Sequence, residues 1–293
     1  MRAGVALGPA VAGSWYPAAR DELASQVDSL LDAALARSTV ASATPAALIV
    51  PHAGFAYSGA VAAAAFARIR GAAFDRVVVL GPSHYFGFRG AAIPDEGSVY
   101  RTPLGDAPLD RAGLRALRAS GGFLADDRMF EPEHSIEAEL PFLQRVLGAE
   151  MSIVPVLLGG RATTEDAARV AGALAPLVTA SSLVIVSSDF THFGQRFGYT
   201  PFTDDVPARI RAIDLGAVDA IEAGDAVAFA QYVDATGATI CGHRAIEVLL
   251  RLPGLAAGAK LLAYDTSGRM TASWDHSVSY AAIAFAAGDG AEA

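Results

Sequence analysis

Short, wholly apolar runs alternate along this chain with longer amphipathic stretches. Leu48-Ile49-Val50, Val77-Val78-Val79-Leu80, Ile153-Val154-Pro155-Val156-Leu157 and Leu183-Val184-Ile185-Val186 show no polar alternation, as expected of parallel strands covered on both faces. The pattern predicts strands over 47–50, 76–80, 152–158 and 183–186. Helical spacing of Leu23, Val27, Leu30, Leu31 and Leu35 predicts a helix over 18–36, with Pro17 before it and Asp21 and Glu22 in its first turn. Further helices are predicted over 59–70, 110–119 behind an Asp110 cap, and 135–147, where Pro141 kinks the helix or shifts its start. Thr163-x-x-Asp166 is a capping-box pattern opening a helix over 163–178. Helices over 205–222, 225–233 and 241–252 follow, then strands over 260–264 and 278–285 that pair as a hairpin. With 47–80 read as a βαβ unit, the alternation predicts one three-layer α/β domain over 1–293. Its sheet is mainly parallel with a C-terminal antiparallel hairpin, its core spans about 10–287, and 288–293 is a disordered tail.

Three of the apolar runs end within a few residues in a histidine: His52, His84 and His192. In open α/β sheets ligands collect beyond the carboxyl ends of the strands, so these imidazoles are expected to converge on a site.

The composition narrows the chemistry. A net charge of −9 and the absence of any Lys/Arg cluster argue against a nucleic-acid partner. A single cysteine, Cys241, rules out an intrachain disulfide framework and makes the cytosol the expected compartment. Residues 1–10 carry no sustained apolar segment of the kind a signal peptide needs, and the longest apolar stretches fall well short of the ~20 residues of a membrane helix. A soluble enzyme with no membrane association is the expectation.

Each candidate residue has a plainer alternative. His52, in Pro51-His52-Ala53-Gly54, and His84, in Gly81-Pro82-Ser83-His84, are either site residues in loops built for close approach or strand-end histidines bonded to nearby carbonyls. Asp189 and His192, three residues apart after a strand, bind metal or transfer protons, or else form a cap and a surface residue. His134 lies among Glu131, Glu133 and Glu137, and for these glutamates a solvated helix start is the expectation. Cys241, in Ile240-Cys241-Gly242-His243, stands at the mouth of a predicted helix whose dipole would lower its pKa. It would then ligate metal or attack an electrophile; otherwise it is an inert buried thiol. His276 is expected to be peripheral. No dinucleotide fingerprint, phosphate loop, nucleophile elbow, His-Glu-x-x-His or Cys-x-x-Cys occurs.

Together, Ala12-Gly13-Ser14-Trp15-Tyr16-Pro17, the stretch Pro51 to Gly59, Gly81-Pro82-Ser83-His84, Tyr100 to Leu104, Glu133 to Glu137, Ile153 to Leu157, Ser187 to Gly194 and Ile240-Cys241-Gly242 strongly resemble the Memo family, called AmmeMemoRadiSam system protein B in prokaryotes. The resemblance implies a fold similar to class III extradiol dioxygenase catalytic subunits. It also implies a metal site holding iron(II) or copper, with ligands carried over onto His52, His84 and Cys241; by ligand chemistry zinc also suits such a set. Asp189 and His192 match further pocket residues of the family, and with His134 they are the expected groups that position or protonate a substrate. A thiolate in place of the carboxylate of a two-His, one-carboxylate triad argues against ordinary ring cleavage. Three readings follow: a metal-dependent redox enzyme with a small-molecule substrate, a metal-stabilised scaffold acting with AMMECR1-like and radical SAM partners, and a metal-free cysteine nucleophile.

Overall fold

The computed structural model describes residues 5–37, 43–148 and 151–287, so the expected tail at 288–293 lies outside the described residues. Its strands are β1 (Val5–Leu7), β2 (Ala47–Val50), β3 (Arg76–Pro82), β4 (Ala91–Ile93), β5 (Gly97–Thr102), β6 (Gly105–Pro108), β7 (Phe123–Ala125), β8 (Ile153–Leu158), β9 (Ser182–Ser187), β10 (His192–Gly194), β11 (Ala259–Thr266) and β12 (His276–Phe285). The helices are α1 (Arg20–Arg37), α2 (Phe55–Phe66), α3 (Arg111–Ser120), α4 (Leu140–Leu147), α5 (Thr164–Leu174), α6 (Val206–Glu222), α7 (Ala226–Thr236), α8 (His243–Leu250) and α9 (Ser267–Thr271).

The main sheet runs β10-β12-β2-β9-β3-β8-β4-β7, with β11 on the outer side of β12, and β1-β5-β6 form a separate small sheet. It is mixed rather than mainly parallel. Parallel pairing holds β2, β9, β3 and β8 together and joins β4 to β7, whereas β12 joins β2 and β4 joins β8 antiparallel. The four parallel strands are the fully apolar runs, and almost every residue in them is buried. The expected C-terminal hairpin is present as the β11–β12 pair.

The segment 47–80 forms the expected βαβ unit, its parallel strands β2 and β3 separated in the sheet by the inserted β9. The connection β2-α2-β3 steps two places one way along the sheet, and β8-α5-β9 steps two places back. Right-handed crossovers moving in opposite directions put their helices on opposite faces. Accordingly α2 packs with α1 and α4 and against β2, while α5 packs with α8, which lies against β3 and β9. The reversal falls at the carboxyl ends of β2, β9 and β3, where this class of sheet binds ligands.

Local signals fix several boundaries. The Thr163 and Asp166 capping box forms in both directions, and Asp110 caps α3 by accepting from the Gly113 N–H. Pro141 sits in the first turn of α4, so that helix begins at Leu140 after a single 3₁₀ turn rather than at Ser135. Helix α2 starts four residues earlier than its periodicity suggests, directly after Gly54.

Candidate metal centre

His52 stands two residues beyond Val50, the last residue of β2, whose neighbour in register on β9 is Ser187. His84 stands two residues beyond β3. Between β7 and α4 the chain crosses the end of β3, and Ser135 fastens it there by donating its hydroxyl to the Pro82 carbonyl at 2.8 Å. Gly81 permits this approach: a Cβ at that position would come within 2.6 Å of Ser135 Oγ. The crossing delivers His134 onto His84, with the rings stacked at 4.4 Å between centroids and inclined by 14°. His52 meets both edge-on, at 5.2 Å from His84 and 5.5 Å from His134. One ring nitrogen from each of His52, His84 and His134 lies within 4.8 Å of the others, a group that could hold a metal ion.

Each imidazole has a distinct support. Glu133, fully buried, accepts from His84 Nδ1 at 2.9 Å, from the His84 backbone N–H at 2.7 Å, and from the N–H groups of His134 and Ser135 at 3.0 Å each. Burial alone would raise its pKa, but the His84 bonds outweigh it and hold the carboxyl below its usual range. His52 Nδ1 lies 2.7 Å from Ser187 Oγ, which also meets the buried carboxyl of Glu139 at 2.7 Å. His134 rests against Trp15, 4.2 Å between centroids, and its Nδ1 is buried with no hydrogen-bond partner. Burial lowers the pKa of His52 well below the ordinary value and that of His134 to about 4, with the neighbouring imidazoles adding to both effects. Both rings are therefore neutral at physiological pH, as metal ligation requires.

Cys241 comes from the turn between α7 and α8 and stands beside this group, its Sγ 3.4 Å from His52 Nε2. The turn packs on the end of β9, and a Cβ on Gly242 would strike Ser188 at 2.5 Å. The sulfur accepts the Asp189 N–H at 3.2 Å. Helix α8 begins only at His243, and burial followed by the Asp189 charge pushes the thiol pKa well up. This corrects the expectation of a dipole-lowered thiol: desolvation of the anion exceeds the pull of a short helix. Asp189 Oδ1 accepts the His52 backbone N–H at 3.0 Å, and burial moves its pKa up to about 6 against the opposing effect of His192. His192 Nδ1 faces two carbonyl oxygens, Phe190 at 2.9 Å and Thr239 at 3.1 Å. Carbonyls only accept, so Nδ1 carries hydrogen, and in the neutral ring Nε2 is the nitrogen with the lone pair.

Two cavities reach these residues. One of about 650 Å³ is lined by Trp15, Tyr57, Asp189, His192, Arg196 and Tyr280, and one of about 520 Å³ by Ser83, His84, Cys241, His243 and Arg244. His276 is exposed at the start of β12 and lines the first cavity together with Val278.

The six expected residues thus gather at one end of the sheet, with His134 inside the nitrogen group. The glutamates depart most from expectation. Glu133 and Glu137 are fully buried, not a solvated helix start; Glu137 accepts from the backbone of Ala10 and Val11 and from the Tyr16 hydroxyl. Ser187 and Glu139 carry little signal in the sequence: the polar ending of an otherwise apolar strand and a fourth acid near His134.

The Memo family profile, described as Memo-like protein, matches residues 8–284. Protein memo-1 homolog of Caenorhabditis elegans is 38% identical over 283 residues, covering 92% of this chain and 79% of its own length. Protein MEMO1 of Xenopus tropicalis is 36% identical and that of Homo sapiens 34%, each over 289 residues, 92% of this chain and 94% of the relative.

Proposed function

The chain belongs to the Memo family, and on that footing we propose that its histidine cluster binds a transition metal in a redox enzyme acting on a small substrate. The observation that carries this reading is the convergence of three imidazole nitrogens within 4.8 Å. The donor set fits such an ion. Two rings have Nδ1 engaged by Ser187 and Glu133, leaving Nε2 for the cluster, that of His52 beside the Cys241 sulfur, and His134 has a buried nitrogen with no partner. His52, His84 and His134 would hold the metal, with the Cys241 sulfur as a further donor. Nitrogen and sulfur ligands match iron(II) or copper, and zinc equally by ligand type. The bound ion would supply Lewis acidity or electron transfer.

The chain's own residues would do the rest. His192 Nε2 is placed to accept a proton from a substrate in the 650 Å³ cavity, and Asp189, titrating near 6, to hold or return one. Trp15, Tyr57 and Tyr280 give that cavity apolar walls that exclude water from bound substrate. A metal-free cysteine nucleophile is less well supported, because burial keeps the Cys241 thiol protonated.

Elemental analysis of anaerobically purified protein tests the reading. One equivalent of iron or copper is expected in the parent protein and less than a tenth of that in His52→Ala, His84→Ala and His134→Ala. Cys241→Ser is expected to retain more metal than any of the three. Equal metal content in all variants, or none after reconstitution, overturns it. Oxygen consumption that His192→Gln slows without changing metal content would support the assigned roles.

A further inference from the structure

The proton positions behind His52 follow from counting. Ser187 Oγ lies 2.7 Å from His52 Nδ1, 2.7 Å from Glu139 Oε1 and 2.5 Å from the Ser135 carbonyl oxygen. A serine hydroxyl has one proton to donate and two lone pairs. The Ser135 carbonyl can only accept, so the hydroxyl proton goes there. The other two contacts are hydrogen bonds only if Glu139 and His52 each donate. Glu139 then carries a proton at neutral pH, and the His52 proton sits on Nδ1.

The surroundings of Glu139 agree. It is 1% exposed, it forms no ion pair among the described residues, and its second oxygen has no hydrogen-bond partner. A carboxylate there would be an uncompensated buried charge. Burial pushes its pKa well up and the nearby Asp189 adds to this, together outweighing the opposing effect of the Ser187 contact.

We propose that Glu139 is a positioning residue, held as a neutral carboxylic acid. Its hydrogen bond fixes the Ser187 hydroxyl and thereby locks His52 in the Nδ1–H tautomer, with the Nε2 lone pair turned to Cys241 and the other imidazoles. This deepens the metal reading and rests on it for its purpose, but the proton positions stand without any metal.

Two metal-free measurements test it at about pH 8, above the Asp189 value of about 6. In difference infrared spectra, a protonated-carboxyl band is expected in the parent protein and absent from Glu139→Gln; a parent spectrum without it overturns the proposal. In ¹⁵N-histidine NMR, with His52 assigned by its loss in His52→Gln, the Nδ1–H tautomer is expected in the parent and in Glu139→Gln, whose amide also donates. The Nε2–H form should appear in Glu139→Leu, where the Ser187 hydroxyl is free to turn towards the ring. A parent His52 in the Nε2–H form, or an unchanged tautomer in Glu139→Leu, overturns it. If Glu139→Leu does not fold, the infrared band and the parent tautomer decide. Metal affinity should drop about 10–100-fold in Glu139→Leu and hold in Glu139→Gln. A protein that binds no metal yet gives the expected band and tautomers refutes the metal reading alone.

Discussion

The support under His84 and the support under His52 use the same side chain in opposite charge states. Glu133 is buried and has four N–H groups directed at it, so its carboxyl ionises more readily than usual. Glu139, six residues on and equally buried, meets a single hydroxyl and resists ionisation. Burial is common to both; the number of donors differs. Depth alone therefore does not set the charge of an interior carboxyl; the donors aimed at it do, at Glu133 the His84 side chain first and backbone N–H groups beside it.

Removing the two supports should have unequal costs. Glu133→Leu strands donors in a dry interior and is expected to lower unfolding free energy by about 3–5 kcal/mol. Ser187→Ala, on the other side, should cost about 1–3 kcal/mol. Urea unfolding of metal-free protein measures both, and equal losses would break the contrast. The pH dependence should differ in sign. Because the folded pKa of Glu133 is depressed, its contribution is present above the unfolded value near 4.5 and is lost as pH falls through the folded value. Because that of Glu139 is raised, its contribution is present below 4.5 and is lost as pH rises through the folded value. Relative to the parent, Glu133→Gln should therefore improve towards acid and Glu139→Gln towards alkali; parallel curves would refute the assignment. The smallest effect is expected far from the site, at Asp166. Despite its burial, hydrogen bonds from Thr163 and Arg169 hold its carboxyl at about 2. Asp166→Asn should cost about 1 kcal/mol at neutral pH, with wild-type and variant stabilities converging as the pH falls towards 2.

Much of this was legible in the chain. The apolar runs ending at Val50, Leu80 and Val186 identified the central strands, and the histidines beyond them marked the right end of the sheet. The Thr163–Asp166 box and the Asp110 cap were readable because they are local. The short strands β4 to β7 were not, since runs of three to six residues are too brief to show a periodicity. His134 joins the cluster from an irregular crossing held by Ser135 and by the space at Gly81, a long-range fit with no repeat in the sequence. For the same reason Glu133 and Glu137 read as surface charges: their partners are backbone N–H groups that only the folded loop supplies.

The sheet order inserts β9 between β2 and β3, and His52 meets Cys241 across 189 intervening positions. The meeting of His52 with Cys241 is therefore among the longest-range closures of the fold, and such events come slowly. Any ion that recognises the finished arrangement acts by mass action on complete molecules only. If the proposed ion is bound, its supply would act as a check on completed folding, tying the amount of intact chain in a cell to metal availability.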